Sequence, residues 1–212
     1  MVRLPYIEVE EADPVTKQVY DDAQARFEMV LNIFKITGNA PEIAKPMWQI
    51  YFDILQEGPK LPWIDKELLI LKSTKIGDCL YCVTQHEVVS ARLGVSEAKQ
   101  HDIVGIEYRT SEHFTPAEVA ILDLCAHVVL DPESIPAEVW DRVKEHYDDG
   151  QIVEIVATIG AYLQVSKFGD SLGVELEPVW HGHKPVLFEA EPPRSKASQH
   201  HLEHFLSHAP AS

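Results

Sequence analysis

The chain has 212 residues, enough for one domain with a substantial core, and its 34 acidic against 18 basic residues leave a formal charge of −16. That excess argues against nucleic acid or an anionic membrane surface as partner. The N-terminal stretch has no apolar core of signal-peptide length and no later stretch reads as the roughly 20 apolar residues of a membrane helix, so a soluble cytoplasmic protein is expected.

In chain order, Asp13-Pro14 is a cap followed by a proline at the first helical position. Val15, Val19, Tyr20, Ala23, Phe27 and Val30 continue an apolar stripe and predict a helix from about 14 into the low 30s. Thr37-Gly38-Asn39 breaks it. Pro41 or Pro46 opens a second helix carrying Met47, Ile50, Tyr51, Ile54 and Leu55, ended by Gly58-Pro59. Pro62 begins a third, Trp63 to Ile76, whose run Leu68-Leu69-Ile70-Leu71 predicts burial on most sides. After Gly77-Asp78 a fourth helix, 79 to 93, is closed by Gly94.

Ser96-Glu97 starts a short helix ending near Gly105, and Tyr108 to His113 reads as loop. Thr115-Pro116-Ala117-Glu118 combines a capping residue, a first-turn proline and an acid three after the cap, the clearest helix start in the chain. Pro136 opens a helix through Tyr147, Asp148-Asp149-Gly150 breaks the chain, and the last long helix runs from Ile152 to Leu172, ending at Gly173. With no alternating strand pattern and no phosphate-binding glycine loop, the fold class is all-α. Beyond Pro178 the composition changes, so a helical domain over 1–180 and a Pro/His-rich tail over 181–212 are expected.

The stretch that carries chemistry is Glu67 to His86, with Cys79, Cys82 and His86 in the pattern E-x11-C-x2-C-x3-H. Helical spacings of three and four put both sulfurs and the imidazole along one face. Asp78 stands where an N-cap belongs, so Cys79 falls in the first turn, where free amides and the helix dipole favour a thiolate. A C-x-x-C pair in a reducing compartment points to redox chemistry or metal. As zinc ligands, Cys79, Cys82 and His86 would need Glu67 or a tail histidine as a fourth. The plainer readings are two small buried cysteines and an acid that complements a helix dipole. Cys125, among Ile121, Leu122, Leu124 and Val128, reads as core. Six histidines fall in the tail, at 181, 183, 200, 201, 204 and 208, and a solvated segment explains them more simply than chelation.

This spacing resembles the signature of the alkylhydroperoxidase D-like branch of the carboxymuconolactone decarboxylase superfamily. Asn39-Ala-Pro-Glu-Ile, Ala91-Arg-Leu-Gly-Val-Ser and the stretches from Phe114 and Phe168 resemble its flanking helices. The resemblance implies a helical, homo-oligomeric fold and a thiol-dependent peroxidase in which Cys82 attacks a hydroperoxide, Cys79 resolves it, and Glu67 with His86 relays protons. It implies no cofactor beyond the redox-active Cys79–Cys82 disulfide, and an external dithiol reductant, a thioredoxin-like or lipoyl-bearing protein. Tyr81 stands where peroxidase members carry a histidine. A phenol can join the catalytic group by hydrogen bonding, but with a pKa of about 10 it is a poor base. The alternatives are a non-redox carboxymuconolactone decarboxylase-like enzyme, whose relatives lack the cysteine pair, and a metal-binding or structural helical oligomer.

Overall fold

The computed structural model describes residues 2–56 and 61–190. Its organising element is the helix predicted to be buried, α4, Trp63–Ile76. Eleven of its fourteen residues are buried, and Leu68, Leu69, Ile70 and Leu71 have no exposed surface. Each such side chain contributes about 1.5–3 kcal/mol through removal from water. A helix surrounded on all sides must also bury its polar positions, and α4 buries three lysines. Each is matched to a partner that accepts positive charge. The Lys66 ammonium donates to the carbonyl of Ile54 at 2.8 Å and meets Glu154 at 2.6 Å. That of Lys72 donates to the carbonyls of Ile103 and Gly105 at 2.9 and 2.7 Å, and Lys75 lies 4.8 Å from the centre of the Phe188 ring. The first two satisfy carbonyls at helix C-terminal ends, where the dipole is negative.

Around α4 pack α5 (Leu80–Arg92), α7 (Pro116–Leu130) and α9 (Asp149–Leu172). Outside them lie α1 (Pro14–Phe27), α2 (Asn32–Thr37), α3 (Pro41–Ile54), α6 (Glu97–Asp102), α8 (Ala137–Lys144) and the short α10 (Val186–Ala190). Among the described residues there is no strand. The all-α architecture is as expected.

The boundaries differ in instructive places. The first predicted helix is two: α1 stops at Glu28, which adopts a left-handed φ of 59°, and α2 begins at Asn32. The apolar spacing runs through that turn because Phe27 and Phe34 stack at 5.9 Å across it. Pro41, not Pro46, opens α3, and Pro46 sits inside the helix. The helix α9 starts at Asp149, because Asp148 and Gln151 form a reciprocal capping box where the sequence reads as a break. The box of Thr115 and Glu118 on α7 is present, and Gly94 takes the expected positive φ, 93°.

By length and composition α9 could cross a membrane, contrary to the sequence expectation that no stretch would. Packing against α3, α4, α5, α7 and α8 buries part of its apolar surface, while Val153 and Val156 stay exposed. After Gly173 the chain turns back along α5. Leu187 and Phe188 of α10 are buried, so this part of the segment assigned to the tail lies against the domain. The remaining tail, with His200, His201, His204 and His208, lies outside the described residues.

Candidate active site

The link between α4 and α5 sets the positions of the sulfurs. Asp78 has a left-handed φ of 61°, and this reversal makes Cys79 itself the N-cap of α5, in place of the capping Asp78 that the sequence suggests. The Cys79 amide donates to the Thr74 carbonyl at 3.0 Å, and its own carbonyl accepts the first bond of α5 from Val83 at 3.1 Å. One turn on, Cys82 brings its Sγ to 3.2 Å from that of Cys79. Both thiols are free, and they are 0% and 3% exposed.

Two thiols this close in an apolar site cannot both ionise, since the first thiolate opposes the second. The Cys82 thiol is held well above the ordinary cysteine range, first by its hydrogen bond with Cys79, then by burial and by negative charge on Cys79. Ser166 acts the other way, with its Oγ 3.8 Å from the Cys82 sulfur. At rest Cys82 is therefore a thiol.

Glu67, fully buried on α4, accepts from the Trp63 indole at 3.0 Å and from His86 Nδ1 at 2.7 Å. A carboxylate holding Nδ1–H fixes the imidazole tautomer that leaves Nε2 able to take or return a proton. The edge of this ring pair is completed by Tyr162 of α9, 4.8 Å from His86 and nearly perpendicular to it. Burial, then negative charge on Glu67 and on Cys82, keeps the Tyr162 hydroxyl protonated. Among the described residues no hydrogen bond joins His86 to either sulfur. The predicted group thus divides into two couples, Glu67 with His86 and Cys79 with Cys82.

Tyr81, expected within the catalytic group, points elsewhere. One residue before Cys82 is about 100° around a helix. Its hydroxyl donates to Glu177 at 2.7 Å and accepts from the Ile33 amide at 3.2 Å, and burial followed by the Glu177 charge keeps the phenol protonated. Tyr81 anchors the returning C-terminal segment to the cysteine helix. Gln85 does the same, donating to Glu177 at 3.1 Å.

Residues 41–126, from α3 into α7, match the carboxymuconolactone decarboxylase family. The fold matches the alkylhydroperoxidase AhpD core of an uncharacterised peroxidase-related protein from Ralstonia eutropha JMP134, with a TM-score of 0.73 at 17% identity, covering 91% of this chain and 97% of that one. Over residues 41–126 the chain is similar to the carboxymuconolactone decarboxylase family, and its fold is that of the AhpD-like proteins. The chain is similar to YdfG, an uncharacterised protein of Bacillus subtilis (strain 168), at 24% identity over 137 residues, 58% of this chain and 92% of YdfG. A cysteine-to-alanine variant of the debrominase Bmp8 in complex with 2,3,4-tribromopyrrole shares the fold, with a TM-score of 0.73 at 18% identity over 89% of this chain and 97% of that one. At such identities the structural likeness is one of fold.

Several contacts were not anticipated from sequence. Trp63 donates to Glu67. Ser166 and Asp170, four apart on α9, flank Gly169, where an added Cβ would lie 3.8 Å from the Cys79 sulfur. Burial raises the Asp170 carboxyl pKa, while a hydrogen bond from the Cys79 thiol and the charge of Lys167 oppose that rise. The one available signal was local: two polar residues a turn apart on α9.

For metal, the donor set does not converge. Among the described residues no group of three or more His, Cys, Asp or Glu side chains is arranged to hold an ion. His86 Nδ1 is already occupied by Glu67.

Proposed function

We propose that this protein is a thiol-dependent peroxidase that reduces hydroperoxides through Cys82 and Cys79. The observation that carries the reading is the 3.2 Å separation of two free sulfurs at the head of α5, one turn before a histidine bonded to a buried carboxylate. Cys82 attacks the terminal peroxide oxygen and gives up its thiol proton to His86 Nε2. The O–O bond breaks, sulfur is oxidised to a sulfenic acid, and the departing alkoxide takes a proton delivered through His86 Nε2. Cys79 then attacks the sulfenic sulfur, closing the disulfide and releasing water. A dithiol protein, thioredoxin-like or lipoyl-bearing, restores both thiols by exchange. The sum is one hydroperoxide and one dithiol converted to alcohol, water and a disulfide. Such a cycle needs a reducing compartment, which is consistent with the cytoplasm.

The test is turnover of a small organic hydroperoxide with a dithiol reductant. Wild type is expected to turn over, Cys82→Ser to consume no peroxide, and Cys79→Ser to stop after about one equivalent with sulfenic acid trapped on Cys82. Undiminished steady-state turnover in Cys82→Ser would remove the reading.

A further inference from the structure

Cys82 is a buried thiol that must carry negative charge as it attacks, and burial opposes that charge. His86 can take the proton, but among the described residues no hydrogen bond joins it to the sulfur, so it does not hold the anion that is left. We propose that Ser166 does: its hydroxyl is the hydrogen-bond donor of the Cys82 thiolate, turning from the Tyr162 carbonyl to the sulfur as the thiol proton leaves.

Three contacts lay α9 across the cysteine turn. The Ser166 Oγ is 3.8 Å from the Cys82 sulfur, the Ser166 Cβ is 3.9 Å from where a Cβ on Gly77 would stand, and a Cβ on Gly169 would stand 3.8 Å from the Cys79 sulfur. One turn away on each helix, the rings of Tyr162 and His86 meet at 4.8 Å. Ser166 is four residues after Tyr162 on α9 and Cys82 is four before His86 on α5, so the two helices run antiparallel with Ser166 in register with the attacking sulfur. Ser166 has no exposed surface, and bulk water does not compete for its hydroxyl.

A hydroxyl has one proton to give. At rest it goes to the Tyr162 carbonyl at 2.8 Å, the back-bond that a helical serine makes to the preceding turn. The more distant sulfur, still a thiol, is the weaker acceptor. Ionisation reverses that preference, because a hydrogen bond to a charged acceptor is roughly twice as strong as a neutral one. Only the hydroxyl hydrogen has to swing about the Cβ–Oγ bond, and the carbonyl keeps its main-chain bond within the helix. Among the groups around Cys82, Ser166 favours the anion, whereas Cys79 at the head of α5 and Asp170 on α9 oppose it. Tyr162 on α9 and Tyr51 on α3 are also coupled to its charge, but burial holds both phenols protonated. Glu67 and His86 stand one turn further along α5 as a bonded couple.

The role of Ser166 rests on the peroxidase reading for its oxidant, yet ionisation of Cys82 can be followed without one. Cys79→Ser chains carrying Ser166, Ser166→Ala or Ser166→Thr are titrated between about pH 6 and 10.5 while the S–H stretching band is recorded by Raman spectroscopy. Alanine suits a helix interior, so the first variant should fold. Cys125, pushed up to about 12 by burial, keeps its band throughout. The Cys82 band should vanish about one pH unit higher in Ser166→Ala, and Ser166→Thr should restore most of the shift. In parallel the same chains are oxidised with one equivalent of cumene hydroperoxide, and the sulfenic acid on Cys82 is trapped with dimedone. Raising the pKa by about one unit depletes the thiolate about 10-fold but makes each thiolate about 3-fold more nucleophilic. Ser166→Ala should therefore react about 3-fold more slowly near pH 7 and about 3-fold faster above its midpoint, a crossing that a merely structural role does not give. An unshifted band overturns the role of Ser166, and so does a rate changed by one factor at every pH. If wild type consumes no hydroperoxide, the peroxidase reading fails, while the Raman band still decides whether Ser166 holds the thiolate.

Discussion

Glu67 illustrates how one buried acid can be tolerated and used. It lies inside an apolar helix, yet both carboxylate oxygens have a donor, Trp63 on one and His86 on the other. Glu67→Gln keeps the shape and the Trp63 contact but turns an amide N–H toward Nδ1. The imidazole must then switch tautomer, placing the proton on Nε2. The expected outcome is a folded protein, by circular dichroism, whose peroxide turnover falls on the order of 100-fold. Turnover within a factor of two of wild type would exclude Glu67 from the relay. A second residue makes a different statement. Burial pushes the Lys72 ammonium down to about 8, while in the unfolded chain the group titrates near 10.4. Between those values the unfolded state binds more protons, so this group's contribution to stability rises with pH. Relative to Lys72→Met, wild type should gain about 2 kcal/mol between pH 7 and 9.5, measured by urea denaturation. A pH-independent difference would mean that Lys72 keeps its ordinary basicity in the fold.

At the scale of elements, the cysteine helix is held from both sides by the returning C-terminal segment. Glu177 on that segment accepts from the Asn32 amide at 2.6 Å, from Tyr81 and from Gln85. Glu87 on α5 in turn receives the amides of Val186 and Leu187 at 3.0 and 2.7 Å and the His183 imidazole at 3.2 Å. These carboxylates tie α2, α5 and α10 into one unit, which fixes the direction of α5 and hence of its sulfurs. Glu177→Ala leaves three donors without their acceptor, at a cost of at least about 2 kcal/mol. Urea unfolding should show that loss, and hydrogen exchange should show faster exchange at residues 178–188. Unchanged exchange there would mean that α10 is held by Leu187 and Phe188 packing alone.

For the molecule as a whole, the site is closed. Cys79 and Cys82 are sealed by α2, α3 and α9, so a protein reductant needs the cysteine turn to move before exchange. The outer surface carries apolar side chains on α3, with Ile43 61% and Ile50 53% exposed, and on α9, with Val153 69% exposed. A second copy of the chain would remove such surface from water, and we propose that the chain self-associates. Light scattering after size exclusion at micromolar concentration should give a mass that is a multiple of 23.9 kDa. A mass of one chain would exclude a stable oligomer.

What the sequence determined by itself were the things that short-range physics controls. Capping signals and prolines located most helix starts, such as those of α4 and α7, and the interval from Cys79 to His86 set which side chains share a side of α5. The 19-residue interval from Glu67 to His86 became a contact because a single turn at Asp78 folds α5 back on α4. Tertiary structure decided what lies opposite those faces. Ser166 meets the Cys82 sulfur only because α9 crosses the α4–α5 turn, and Tyr81 leaves the relay only because Glu177 returns to accept its hydrogen bond. Periodicity specifies that a face will be buried but carries no information about its partner, and in this protein the partners of the two sulfurs come from more than 80 residues away.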